Sequence, residues 1–500
     1  MPSLDTYVNP PWLICCTETK EGFLLASLSD PASGGRSSFQ QVVSAFLTAP
    51  GLPFANVLSA ERIERVFAKY GDLFGKRHIY STAVVVWGFL GQVLRDGKQA
   101  SCQAAVACIV AYRMWRNEST PTSDTGDYCR ARNKLPEAAL RELTVLVADD
   151  MEDQAERKWL WKGLHAKLVD GFTFTMPDTP ANQAKYPSSK SQKAGVGLPI
   201  ARAAAILSLA TGCVMGLALG PYSGKETGET ALLRKLLDSF RTGDVAVMDR
   251  YYCSFMMIAL LQKRQVQVCA RMHQKRHVDF RRGRRLGKCD HMLGWTRPAK
   301  PKWMDQATYD SIPETMQLRE LRYQIVEKGR RTQELTIVTT LLDAKVHTKE
   351  DVAELYGFRW NVELDIRSIK QSLHLCHVRC KSPEMVRKEL WMTLLGYNLI
   401  RTTAAAAALL HDKLPRQISF TATCQYVLAS WICFGREQIA AKLLTARCRN
   451  MLRQIAECEV ANRPGRIEPR VIKRRCQHYT LMQEPREVLK ARLLAGKDLQ

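Results

Sequence analysis

The chain has 500 residues, 46% hydrophobic and 24% charged, with 29 Gly and 21 Pro. That is apolar chain for roughly three domains of about 150 residues, and it excludes a disordered, collagen-like or disulfide-scaffold protein. Its 73 Lys and Arg against 49 Asp and Glu leave a net charge of +24, which points to a polyanion such as nucleic acid because neutralising phosphates releases counterions. An anionic membrane surface is the competing explanation.

The opening MPSLDTYVNPPW lacks the basic-then-apolar plan of a signal peptide, so the 16 Cys are expected as reduced thiols in a cytosolic setting. The first sixty residues hold four acids and two bases, which puts the positive charge elsewhere. From residue 39 to about 153 the pattern is helical. Apolar residues recur at three and four over 60–73, 82–94, 102–115 and 135–147, with Ser81 and Ser101 at N-cap positions. The segment 117–127, rich in Ser, Thr, Pro, Asp and Gly, is a loop.

The texture then changes. Residues 167–176 (KLVDGFTFTM) are β-rich, and 199–219 hold two more apolar strands. The longest uncharged stretch, 203–224, has about the length of a membrane span, but Gly212, Gly216, Gly220 and Pro221 interrupt it. Thr211-Gly212 reads as the turn of a hairpin. An amphipathic helix over 230–240 precedes a short buried strand, 244–248 (DVAVM), that ends at Asp249. A helix over 254–262, strands at 266–270 and 334–342, and a long helix over 349–373 complete an α/β plan with mixed pairing.

Between the last two strands, residues 263–302 carry thirteen Lys and Arg against two Asp, and 318–329 alternates like further strands. Residues 271–333 are therefore expected to be a basic, β-rich insertion. Its RRGRRLGK run, with Arg281, Arg282, Arg284, Arg285 and Lys288, has the character of a phosphate-binding loop. From Ser382 the tail is helical, and residues 441–500 hold fourteen bases against six acids.

The most informative stretch is LYGFRWNVELDIRSIKQSLHL, residues 355–375. With Tyr356 at zero and 100° per residue, Arg359 falls at about 300°, Glu363 at about 340° and Lys370 at about 320°, while Asp365 points the opposite way at about 180°. A carboxylate flanked by a guanidinium, an ammonium and a phenol suits a phosphodiester site: the acid holds a metal and the others bind phosphate oxygens. A solvated helix face with an i,i+4 Arg–Glu pair is the plain alternative.

The Tyr356, Arg359, Glu363, Lys370 spacing resembles the YREK signature of the insertion-sequence-four family of DDE transposases. LVDGFTF at 168–174 is similar to that family's first acidic strand, and VAVMDRYYCSF at 245–255 to its second. The resemblance implies an α/β fold with a ribonuclease-H-like, mixed-sheet catalytic core interrupted by a β-rich insertion. Helical N- and C-terminal domains flank it. The implied division is 1–160 for a helical, DNA-end-binding domain, 161–270 for the first core segment, 271–333 for the insertion, 334–380 for the second core segment and 381–500 for a helical basic domain.

The same resemblance implies Asp170, Asp249 and Glu363 as a catalytic, metal-binding triad for two Mg²⁺ ions, with Mn²⁺ as a substitute. Asp343, at another strand end, is the rival third acid. Tyr356, Arg359, Lys370 and the basic run are implied DNA contacts, and Trp295 or Trp303 could stack on a flipped base, a contact worth about 1–3 kcal/mol. The activity expected is metal-dependent cleavage of transposon ends, then transfer of the freed 3′-hydroxyl into target DNA. Expected partners are double-stranded DNA (terminal inverted repeats and target) and a second copy of the chain on paired ends. No membrane is expected, and the expected location is the bacterial cytoplasm, associated with the nucleoid. A ribonuclease-H-like metal-dependent nuclease and a catalytically decayed DNA-binding protein are the alternatives.

Overall fold

The computed structural model describes residues 58–71, 79–115, 117, 119–189, 191, 193, 195–325, 333–434, 441–460 and 482–495. The helical pattern over 39–57, the end of the alternating stretch at 326–329 and the basic segment 461–481 lie outside the described residues.

The N-terminal region is helical, with α1 (Ala60–Ala68), α2 (Thr82–Val93), α3 (Cys102–Trp115), α4 (Gly126–Asn133) and α5 (Glu137–Asp153). The Ser59 hydroxyl accepts the Arg62 N–H at 3.1 Å to start α1, and Ser101 accepts the Ala104 N–H at 3.1 Å. Ser81 stands at the N-cap of α2 but makes no such side-chain bond. Eleven of the twelve residues of α2 are buried, so packing on every side holds this helix in place of a cap.

Among the described residues nine strands follow: β1 (Ala166–Thr175), β2 (Ile200–Ser208), β3 (Val214–Pro221), β4 (Val245–Met248), β5 (Gln267–Arg271), β6 (Arg284–Gly287), β7 (Asp290–Thr296), β8 (Thr315–Ile325) and β9 (Gln333–Thr339). They form one sheet in the order β3-β2-β1-β4-β5-β9-β8-β7-β6. Only the β1–β4 and β4–β5 pairings are parallel, which gives a mixed sheet. The interrupted apolar stretch is the β2–β3 hairpin, with Gly212 at φ 76° in its turn, a conformation that favours glycine. Among the described residues no helix is long and apolar enough to cross a membrane.

The short helices α6 (Pro180–Lys185), α7 (Glu229–Arg234), α8 (Phe255–Lys263) and α9 (Gln306–Asp310) lie between strands. The helix expected over 230–240 is shorter than its pattern: α7 stops at Arg234 and a 3₁₀ turn, Leu237–Ser239, follows. The sequence between β5 and β9 is β-rich, and its strands β8, β7 and β6 extend the core sheet beyond β9. A buried polar network fixes it. Arg319 pairs with Asp290 at 2.5 Å, while Glu320 accepts the Trp295 indole N–H at 2.7 Å and lies 2.9 Å from His291 Nε2.

The single helix expected over 349–373 is three pieces: α10 (Lys349–Gly357), α11 (Trp360–Arg367) and a π-helical turn, Ser368–Ser372. Gly357, a poor helix former, closes α10, and tight i→i+3 bonds join Arg359 N–H to Tyr356 O and Val362 N–H to Arg359 O. The C-terminal helices are α12 (Pro383–Leu410), α13 (Phe420–Phe434), α14 (Ala441–Glu457) and α15 (Arg486–Leu494). Helix α12 is a spine, not an appendage. Its Asn398 accepts the Val214 N–H at 2.8 Å and donates to Thr144 O at 3.0 Å, tying β3 to α5.

Candidate active site

Strand alternation places Asp170 among buried neighbours. Leu168 and Phe172, two residues to either side, are both in the core, so the carboxylate projects from the same face of β1. Parallel pairing matches Val169 with Met248, and the next residues along the two strands are Asp170 and Asp249. Adjacent strands lie about 4.8 Å apart, so this register brings two acids to one end of the sheet.

Glu363 comes from α11, which packs on the Leu168 side through Val362 and Ile366. Arg359 joins the two elements. Its guanidinium donates to Glu363 Oε1 at 2.6 Å and reaches Asp170 Oδ2 at 3.4 Å. Burial pushes the Asp170 carboxyl up to about 6, and the Glu363 and Glu229 carboxylates add to the rise; the Gly171 N–H, 2.8 Å from Asp170 Oδ1, and Arg359 oppose it. Asp365, on the opposite face of α11, is 1% exposed and pairs with Arg401 at 2.5 Å and Arg416 at 3.0 Å. This anchor ties the helix that carries Glu363 to α12.

Carboxylate oxygens are the donors a hard divalent cation takes, and a buried acid crowded by two others is short of positive charge. In donor chemistry the residues fit such an ion. Among the described residues, no three His, Cys, Asp or Glu side chains stand close enough together to hold one as placed. Arg359 is the cation that bridges Asp170 and Glu363.

Several expectations need correcting. Trp295 is 2% exposed, its N–H is spent on Glu320 and Arg276 stacks on its ring at 3.6 Å, so it is a core residue and not a base-stacking platform. Trp303 is exposed, with Arg234 over its ring at 4.0 Å. Tyr356 is likewise buried, and burial drives its phenol pKa well up. Arg359 and Glu363 keep their i,i+4 pairing, while Lys370 sits in the π turn after α11. Asp343 is exposed, and its Oδ1 accepts the Lys345 N–H at 2.8 Å within a turn. Arg281, Arg282, Arg284, Arg285 and Lys288 are all exposed along the β6–β7 hairpin at the sheet edge.

The sequence reading passed over Glu229. A Cβ on Gly171 would fall 2.4 Å from Glu229 Cδ, so this carboxylate lies against β1 beside Asp170. The available signal was Asp-Gly on the first strand and an acid opening the helix after β3, two features that no spacing connects.

The mixed sheet with acids at one end has the plan of a DDE transposase core. Residues 161–399 match the family model described as Transposase DDE domain. The chain is 25% identical over 448 residues to Transposase InsG for insertion sequence element IS4 of Escherichia coli (strain K12), which covers 87% of this chain and 94% of that protein. Over 80 residues it is 34% identical to Transposase for insertion sequence element IS421 of Escherichia coli and to Putative transposase InsL for insertion sequence element IS186A of Escherichia coli (strain K12), each covering 15% of this chain and 22% of the relative. These matches support a DDE-type DNA transposase of the insertion-sequence-four kind. The divalent-metal dependence general to that family agrees with the oxygen donors described above.

Proposed function

We propose that Asp170, Asp249 and Glu363 are the acids of this transposase, holding two divalent ions, Mg²⁺ with Mn²⁺ as a substitute, while it cuts transposon ends and joins them to target DNA. When bound, the ions supply an acidified water or 3′-hydroxyl and charge stabilisation at the leaving oxygen of an in-line displacement. The chain's own residues do the holding. Arg359 and Lys370 bind phosphate oxygens at the cleavage point, with Arg359 exchanging its carboxylate partners for the substrate. The exposed bases of the β6–β7 hairpin grip the DNA backbone, which fixes position without reading sequence.

The helical region 1–160 recognises the terminal inverted repeats, and the basic helical region 381–500 adds contacts to the flanking DNA. Two copies of the chain act on paired ends, on chromosomal DNA at the nucleoid. The observation that carries the reading is the register of β1 against β4, with Glu363 drawn to Asp170 through Arg359.

Glu363→Gln tests it, because the amide keeps the shape and loses the anion. End-DNA cleavage should fall by at least about a thousandfold, of the order seen on losing a main catalytic electrostatic group, while gel-shift binding of end DNA is unchanged. An unchanged cleavage rate removes the site assignment.

A further inference from the structure

Glu229 opens α7, whose Leu232 and Leu233 pack in the same core as Val169. Asp170 projects from the other face of β1, beside α11. Gly171 is the gap between them. It pairs with Ala204 in ordinary strand geometry, so its backbone does not demand glycine. What the missing side chain provides is room: a Cβ there would lie 2.4, 2.6 and 2.7 Å from Glu229 Cδ, Cγ and Oε1. Thr230, the next residue, donates from its hydroxyl to Tyr251 O at 3.3 Å, which ties the start of α7 to the segment just after Asp249.

An independent feature points to the same place. Tyr252 is 1% exposed, and its hydroxyl is buried without a hydrogen bond of ordinary geometry. Its charged neighbours are Glu229, Asp170 and Asp249, with Glu229 within reach of the hydroxyl, so the phenol faces the acids. A buried hydroxyl turned toward carboxylates without a well-formed hydrogen bond is expected where something else completes the site.

We propose that Glu229 is a fourth carboxylate of the catalytic centre, reaching across Gly171 to bind the divalent cation together with Asp170. This rests on the reading of Asp170 as a cation-binding acid. Glu229 gives the centre a ligand from the far side of the sheet, so the ion is held from both faces of β1. Gly171 is a positioning residue for it.

The test is Mn²⁺ titration of the full-length protein without DNA, followed by the electron paramagnetic resonance signal of free Mn²⁺. Variants are Glu229→Gln, Asp170→Asn and, as control, Glu226→Gln, an exposed acid of the same loop that pairs with Arg234. Glu229→Gln should weaken binding at least about tenfold, the loss typical of removing even an outer partner of a ligand, and Glu226→Gln should bind as the parent. If Asp170→Asn weakens binding and Glu229→Gln does not, the fourth carboxylate is overturned and the triad stands. If neither weakens it, both readings fall. Should Glu229→Gln fail to fold, Gly171→Ala keeps every carboxylate and displaces Glu229; the same loss supports the proposal, and parental affinity overturns it.

Discussion

Asp365→Asn offers a test of how the catalytic helix is held. The wild-type carboxylate is 1% exposed and is shared by Arg401, at 2.5 Å, and Arg416, at 3.0 Å. The amide is nearly isosteric and keeps one oxygen acceptor, so the change removes charge and one hydrogen bond without opening a cavity. Arg416 retains bonds to Ser208 O and Leu209 O, whereas Arg401 keeps only the Tyr397 hydroxyl, at 2.9 Å. Breaking a buried pair costs about 3–5 kcal/mol because a charge stays behind unpaired. The retained acceptor and the backbone bonds of Arg416 put this case at the lower end, about 3 kcal/mol. At roughly 1 °C per kcal/mol for a chain of 500 residues, differential scanning calorimetry should find the melting point about 3 °C lower. Because α11 carries both Asp365 and Glu363, end cleavage at a temperature where the variant is folded should fall as well. A melting point within about 1 °C of the parent would refute the argument that this pair anchors the helix.

The raised Asp170 carboxyl makes cation binding pH-dependent. The group is protonated below about 6 and must lose its proton to bind a metal, so Mn²⁺ affinity should climb about tenfold per unit as pH rises toward 6 and level off above it, measurable by titration calorimetry. In the cation-free protein the linkage runs the other way. The folded-state pKa lies above the unfolded value, so stability falls as pH rises from about 4 through 6. Replacing Arg281, Arg282, Arg284, Arg285 and Lys288 together by Ala should weaken binding of any duplex alike and flatten the salt dependence by roughly 0.9 per lost phosphate contact. An unchanged slope in fluorescence anisotropy would mean that the hairpin does not meet DNA.

Where the sequence was legible, local physics decided the outcome. The apolar runs around Asp170 and Asp249 read as buried strands and Gly212 as a turn, so the strand positions of both residues and the β2–β3 hairpin were readable. Asp365 was readable too, as the acid on the wrong face of its helix. The failures were tertiary. A helical wheel assumes one continuous axis, and Gly357 with the π turn at 368–372 breaks that axis between Tyr356 and Lys370. Trp295 sits in a basic, exposed-looking segment; its burial depends on Glu320, a residue of β8 that lies opposite His291 in the β7–β8 register. Glu229 was invisible because its contact with Gly171 joins residues 58 positions apart across the sheet. The N- and C-terminal helices read as separate ends, but Asn398 joins α12 to β3 and α5.

The convergence of Asp170, Asp249 and Glu363 is most directly tested by anomalous diffraction from crystals of the protein with end DNA and Mn²⁺. The account predicts an anomalous peak at roughly 2.0–2.6 Å from carboxylate oxygens of Asp170 and Asp249, with Glu363 released from Arg359 to complete the ligand set. A well-ordered Mn²⁺ bound elsewhere, with Glu363 still paired to Arg359 beside cleaved DNA, would contradict it.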